Sequence, residues 1–205
     1  MKFFKKINLG LVLVIIAIVL VTLYSVNLEN KRSSSKEEIK KVSEEFIKIT
    51  NKYSILPEQH QIIGQQNANI DLTNFYSEME GELNNITTSK ETANIQKTIL
   101  SEIIQNQLLN TSSIIVNFDR KIVKISSYVF DGNQVTITFN SKITIKQKYN
   151  EFDLQTGLST EKIKEDSFEA NSETITLEQK DGTWKVVCAN LLYSDIGLTE
   201  SMYMF

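Results

Sequence analysis

Between Lys6 and Glu29 the chain carries no charge, and from Leu9 to Val26 it reads LGLVLVIIAIVLVTLYSV. A membrane-spanning helix needs roughly 20 predominantly apolar residues, and this run with its neutral flanks meets that length. No other stretch is so uniformly Val, Ile and Leu, so a buried globular helix does not account for it. A cleaved signal peptide shares the basic start, but its apolar region is usually about 7–15 residues and closes on a small-x-small site. The exit here, LYSVNLEN, has no A-x-A pattern, and no Cys comes after it to become a lipidated start. The expectation is an uncleaved, single-span signal anchor carried by residues such as Leu11, Ile15 and Val19. Lys2, Lys5 and Lys6 favour a cytoplasmic N-terminus by the positive-inside bias, opposed by Lys31 and Arg32 on the far side.

This divides the chain into a cytoplasmic tail (1–8), a transmembrane anchor (9–26), a linker (27–34), an extracytoplasmic domain (35–195) and a C-terminal tail (196–205). A pilin-like protein is a lesser alternative. Gly10 could serve as the processing glycine, but Ile15 stands where such proteins carry Glu. The formal charge is −3 over the whole chain and +2 over its first thirty residues, which leaves −5 for the rest. An acidic body argues against a nucleic-acid surface, whose affinity would come from clustered Lys and Arg. With 41% of the whole chain hydrophobic, there is enough apolar material for a core. The single cysteine, Cys188, excludes an intramolecular disulfide.

KRSSS (31–35) reads as a short polar joint, after which Ser35 and Glu38 form a capping box. Ile39, Val42, Phe46, Ile49 and Tyr53 recur at helical steps, and Glu37, Glu38, Lys40, Lys41, Glu44 and Glu45 fill the opposite face. Beyond a loop bracketed by Pro57 and Gly64, a second stripe joins Phe75, Tyr76, Met79, Leu83 and Ile86. Thr88 to Glu91 reads as another capping box opening a third helix, with Ile95, Ile99, Leu100, Ile103, Ile104, Leu108 and Leu109 on its apolar side. After about residue 112 the period falls to two. KIVKISSYVF leads to an Asp131-Gly132-Asn133 turn. Val135, Ile137, Phe139, Ile143, Ile145 and Tyr149 then alternate with Thr and Lys. TEKIKEDSFEA reads as a further strand. In the closing hairpin, Ile175 and Leu177 point inward, Asp181-Gly182 turns, and Trp184, Val186 and Cys188 return on one face as its core. The fold class expected is α+β, an N-terminal transmembrane helix followed by three helices packed on a curved antiparallel sheet of four to six strands.

Helices first, strands after, and a closing TITLEQKDGTWKVV resemble the nuclear transport factor 2-like (cystatin-like) superfamily over roughly residues 35–195. With the anchor, the layout is similar to single-span assembly factors of conjugative type IV secretion systems. The resemblance implies a scaffold that meets other envelope proteins and self-associates, without enzymatic activity. The same cone-shaped fold can bind a small apolar ligand or a cell-wall fragment, which is the alternative reading.

Chemistry is sparse in the residue types. The only histidine, His60, lies in the Pro57–Gly64 loop, and no Gly-x-Ser-x-Gly elbow supports a triad. One His and one Cys far apart make a His/Cys zinc site unexpected. There is no Gly-rich phosphate loop and no Asp-rich calcium loop. Some isomerases of the superfamily use an Asp base and a Tyr inside the cone, for which Asp119, Tyr128, Tyr149 and Tyr193 are the available types. The expectation is therefore no catalytic residue, no metal and no cofactor.

Overall fold

The computed structural model describes residues 9–63, 70–110, 112–152, 155 and 157–193, with side chains from Val12 onward. The tails at 1–8 and 196–205, the Leu11 side chain and Gly64 lie outside what is described. The elements run α1 (Leu9–Lys52), a 3-10 turn (Glu58–His60), α2 (Thr73–Ile86), α3 (Lys90–Leu109), β1 (Ser113–Asp131), β2 (Gln134–Phe152), β3 (Ser159–Lys180) and β4 (Thr183–Asn190). The strands form one antiparallel sheet in the order β1-β2-β3-β4. The fold is α+β. The chain divides into two compact units, Met1–Lys40 and Lys41–Phe205.

In the first unit α1 is long and apolar enough to cross a membrane, with a most apolar window of mean hydropathy 2.3, none of it buried. From Leu13 to Asn27 its side chains, Ile15 and Val19 among them, are exposed all round, whereas Ile39 further along is buried. The two hydroxyls near the end of the apolar run need no water. Thr22 donates to the Ile18 carbonyl and Ser25 to the Val21 carbonyl, each at 2.8 Å.

The polar joint expected at 31–35 is absent, because α1 runs unbroken to Lys52. Ser34 and Ser35 both donate to the Lys31 carbonyl at 2.9 Å. Bonded back within the helix, they do not cap a new one. The apolar run and the first soluble helix are thus one element, and among the described residues the four expected helices are three.

In the second unit α1 buries Ser43, Phe46, Ile47 and Thr50, with Tyr53 buried just past its end, leaving Val42 and Ile49 half-buried. The buried stripe is rotated by about one position from the apolar pattern. Thr50 joins it without an orphaned hydroxyl, since Oγ1 donates to the Ile47 carbonyl at 2.9 Å. α2 buries Met79, Leu83 and Ile86. α3 starts one residue later than its capping box suggests. Ser89 is the N-cap, accepting from the Thr92 amide at 3.1 Å. The reason is tertiary: Thr87 bridges to Val186, and the Thr88 amide donates to the Val186 carbonyl at 2.9 Å. α3 buries Ala93, Gln96, Leu100, Ile103, Ile104, Gln107 and Leu108, and leaves Ile95 and Leu109 outside. Leu56, Leu72, Ile104 and Leu108 cluster with Phe75, whose ring meets that of Tyr53 edge-on at 5.2 Å.

The β1–β2 and β3–β4 hairpins close on two-residue turns that need positive φ, supplied by Gly132 (+58°) and by Asp181 (+51°) with Gly182 (+79°). Val135, Ile137, Phe139, Ile143 and Ile145 are buried, alternating with partly exposed Thr, Asn and Lys. β3 unites the two strands expected separately at 160–170 and 174–180. Between them the register slips, with Phe139 opposite Glu173 and Ser141 opposite Ala170, and Ser172 takes φ +61°. This is a bulge, which bends a strand without ending it.

A second bulge corrects one core assignment. Ile175, Leu177, Trp184 and Val186 are buried, but Cys188 is exposed. Thr176 pairs with Cys188 and Leu177 with Val186, so Val187 is an extra residue in β4. An inserted residue reverses the alternation, which sends Cys188 to the outer face. In the purified native protein a maleimide should therefore label Cys188 to completion without denaturant. Labelling that waits for urea would place the thiol inside.

Candidate functional site: a buried ion pair holding the segment beyond the last strand

In an antiparallel sheet, directly opposed residues share a face. Arg120 on β1 opposes Ile143, and Glu173 on β3 opposes Phe139, both on the buried side. Ser141 lies between Phe139 and Ile143 in the same phase on β2. Three adjacent strands therefore aim one cation, one anion and one hydroxyl into the core.

Arg120 and Glu173 have side chains that are 0% exposed, with Nε to Oε1 at 3.3 Å. Ser141 donates to the other carboxylate oxygen. Glu173 Oε1 also accepts from the Leu192 amide at 2.8 Å, while Arg120 Nη2 donates to the Leu192 carbonyl. The guanidinium lies over two rings, 4.6 Å from the centre of Tyr193 and 5.4 Å from that of Phe118. The β1 backbone is fixed at the same residue by α1. Asn51 Oδ1 accepts from the Arg120 amide at 3.2 Å, and Nδ2 donates to its carbonyl at 2.9 Å. Burial raises the Tyr193 phenol above its ordinary value of 10.0, and the positive charge of Arg120 offsets part of that.

The residues singled out in the sequence are scattered around this centre. Tyr193 is in it, stacked on Arg120. Asp119 precedes Arg120 and so faces the other way, with its carboxylate 2.6 Å from Lys121 Nζ. Tyr128 opposes Ile137 and Tyr149 opposes Ser113, both half-buried. His60 sits in the 3-10 turn. Among the described residues no three His, Cys, Asp or Glu gather as metal ligands. Composition and motifs do not point to Arg120, Ser141, Glu173 or Asn51. The signal that could find the sheet members is parity: Glu173 is in phase with Ile175 and Leu177, and Ser141 with Phe139 and Ile143.

Grooves indent the second unit. One of about 760 Å³ lies between α1, α2 and the start of β4, where Val42, Ile49, Ile86 and Trp184 are interspersed with charged side chains such as Glu45, Lys48 and Lys185. Lys52 and Glu82 pair there at 2.6 Å, and Tyr53 donates to the same carboxylate at 3.1 Å. The hydrogen bond from Lys52 to Glu82 raises the ammonium pKa. The others, about 360 and 300 Å³, lie beside Asn51 and Lys121 and between α2 and the end of α3.

No family model and no curated protein matches the chain. A solved structure, the intermembrane space region of chloroplast protein ARC6, is similar over 78% of this chain and 95% of its own, with 11% identity and a TM-score of 0.35. At that distance, function has to be argued from this chain's own residues.

The site makes two outcomes measurable. Removing one member of a buried pair strands the other charge, at a cost of about 3–5 kcal/mol. Arg120→Met and Glu173→Leu should each lower stability by that order, and the double variant should cost clearly less than their sum in a urea double-mutant cycle. The second outcome concerns pH. A phenol whose folded pKa is raised contributes stability that is present below its unfolded value near 10.0 and lost as pH climbs through the folded value. Urea midpoints should therefore fall above about pH 10, and Tyr193→Phe should flatten that fall.

Proposed function

We propose that this chain is a membrane-anchored extracytoplasmic protein whose folded unit resembles a nuclear transport factor 2-like domain and acts through contacts with other envelope proteins. The observation that carries the reading is the exposed apolar length of α1, Leu13 to Val26, in the same helix that supplies the second unit with Phe46, Ile47 and Thr50. An apolar length sufficient to span a bilayer supports the reading of a membrane-tethered chain, whose neighbours would be other membrane and envelope proteins. The N-terminus is cytoplasmic in this reading, and residues 41–193 work outside, with conjugative secretion the best-named setting. Self-association through the same domain is part of the proposal. The groove of about 760 Å³ supports a second reading, in which the domain holds a small apolar ligand or a cell-wall fragment.

Crosslinking mass spectrometry on intact cells expressing the full-length chain tests both. Crosslinks from residues 41–193 to several envelope proteins are the expected result. Crosslinks only to cytoplasmic proteins would overturn the topology. A domain that links to nothing, yet carries a small molecule through purification, would put the second reading first.

A further inference from the structure

We propose that the free edge of β3 from Ser159 to Ala170 takes up an added strand from a partner protein, one that is basic on the face it sets beside Glu161, Glu165 and Glu169. This rests on the reading of the domain as a protein-interaction module and adds the place and chemistry of one contact.

β3 is 22 residues long, and β4 covers only part of one side of it. The β3–β4 ladder ends where Thr174 pairs with Asn190. The β2–β3 ladder runs on, from Ser141 and Ala170 to Phe152 and Ser159. Among the described residues, the other side of 159–170 therefore has no neighbouring strand. An extended stretch of that length reaches about 40 Å, roughly twice an ordinary strand. The remaining edges are obstructed. β1 slips register three times against β2 and is plugged by Asn51 at Arg120. β4 is bridged at Val186 by Thr87, and the Thr88 amide takes the Val186 carbonyl. The 159–170 stretch pairs with β2 without a slip, and a regular edge with free peptide groups is what strand addition needs.

The side chains specify the partner. On the outward face Lys142 and Lys146 of β2 oppose Glu169 and Glu165, and Lys148 pairs with Glu161 at 3.1 Å. A basic row on β2 thus lies beside an acidic row on β3, with Ile163, 64% exposed, between Glu161 and Glu165. Glu165 meets Lys146 through Oε2 and Glu161 meets Lys148 through Oε1. The second oxygen of each is left for a cation arriving from the open side. Lys162 and Lys164 alternate with these residues and take the other face. Unlike charges directly opposed stabilise a strand pair, and like charges destabilise it. A matching strand therefore carries Lys or Arg at every fourth position on one face and Glu or Asp on the other. An antiparallel second copy of this edge would set the acidic row against itself. Residues 194–205 contain Asp195 and Glu200 but no Lys or Arg, so the chain's own end does not match either. The same charges turn away apolar strands.

The probe is a fluorescein-labelled peptide, KVTTKEVEK, whose lysines come opposite Glu169, Glu165 and Glu161 in an antiparallel register. In anisotropy titrations with the full-length chain in neutral detergent, it should bind at least about tenfold more tightly than its charge-reversed counterpart, EVTTEKVKE. A chain carrying Glu161→Gln and Glu165→Gln should lose that preference, and it should still fold because exposed ion pairs add little stability. Hydrogen exchange on the unaltered chain locates the contact. Bound peptide should slow alternate amides within 159–170 by at least about tenfold and leave those of β1 unchanged. Equal binding of the two peptides, binding of neither, or protection on β1 would overturn the proposal. So would slow exchange of the same alternate amides in the free chain, which would mean an edge already covered by a second copy or by residues 194–205. Failure here leaves the crosslinks above untouched, since they report neighbours and not this edge.

Discussion

Arg120 and Glu173 are the constraint around which the second unit is arranged. They come from the first and third strands, so their pairing fixes how β1, β2 and β3 are aligned, and Ser141 ties the middle strand to the same point. Charges this deep are stable only when every neighbour is in place. The pair therefore demands specific partners: a hydroxyl from β2, two ring faces, and the peptide groups of Leu192. A loosely packed alternative with the same hydrophobic pattern would leave one of these charges alone, and that penalty singles out one register from its competitors.

The remainder of the sheet shows how a four-strand meander departs from flatness. Register slips occur three times between β1 and β2, once between β2 and β3, and once between β3 and β4. Each bulge bends its strand and re-aims the residues beyond it. The slip at Ser172 divides β3 into a buried half, where Glu173, Ile175 and Leu177 enter the core, and a half exposed on both faces. That outer half is dressed with ion pairs, Lys146 to Glu165 at 2.9 Å and Lys148 to Glu161 at 3.1 Å. Exposed pairs of this kind contribute little stability each. Their value is to keep a long open edge charged and soluble, since a bare edge strand invites pairing with another chain.

Much of this is legible in the residues, and the exceptions have identifiable causes. The apolar run, the three soluble stripes, both hairpin turns and the buried positions of β2 come from period and turn chemistry alone. The joint at 31–35 is ambiguous because serine serves equally as a cap or as a back-bonded helix residue, and local sequence does not choose between them. The start of α3 is displaced by a bridge from Thr87 to Val186, on a strand far along the chain. Simple alternation sends Cys188 inward, but the bulge that turns it out leaves no mark on sequence. The ion pair is hidden for a different reason. Charged residues are usually exposed, so a Glu in phase with Ile175 and Leu177 is easily assigned to a strand end and not to the core. Phase is the stronger evidence.

Asn51 explains how the helical and sheet halves meet at the site. Arg120 lies on β1, an edge strand, so its amide and carbonyl on the outer side have no neighbouring strand to bond. The Asn51 side chain supplies one donor and one acceptor in a planar amide, and it bonds both groups. In effect the end of α1 stands in for one residue of a missing strand. An Asp at this position would lose the donor and set a charge against the Arg120 carbonyl, and an Ala would leave a part-buried N–H and C=O unpaired. The same residue of β1 is thus held by its backbone on one side and by its guanidinium on the other. The helix that enters this unit at Lys41 and the segment that leaves β4 at Asn190 both end their grip on Arg120, one through peptide groups and one through charge.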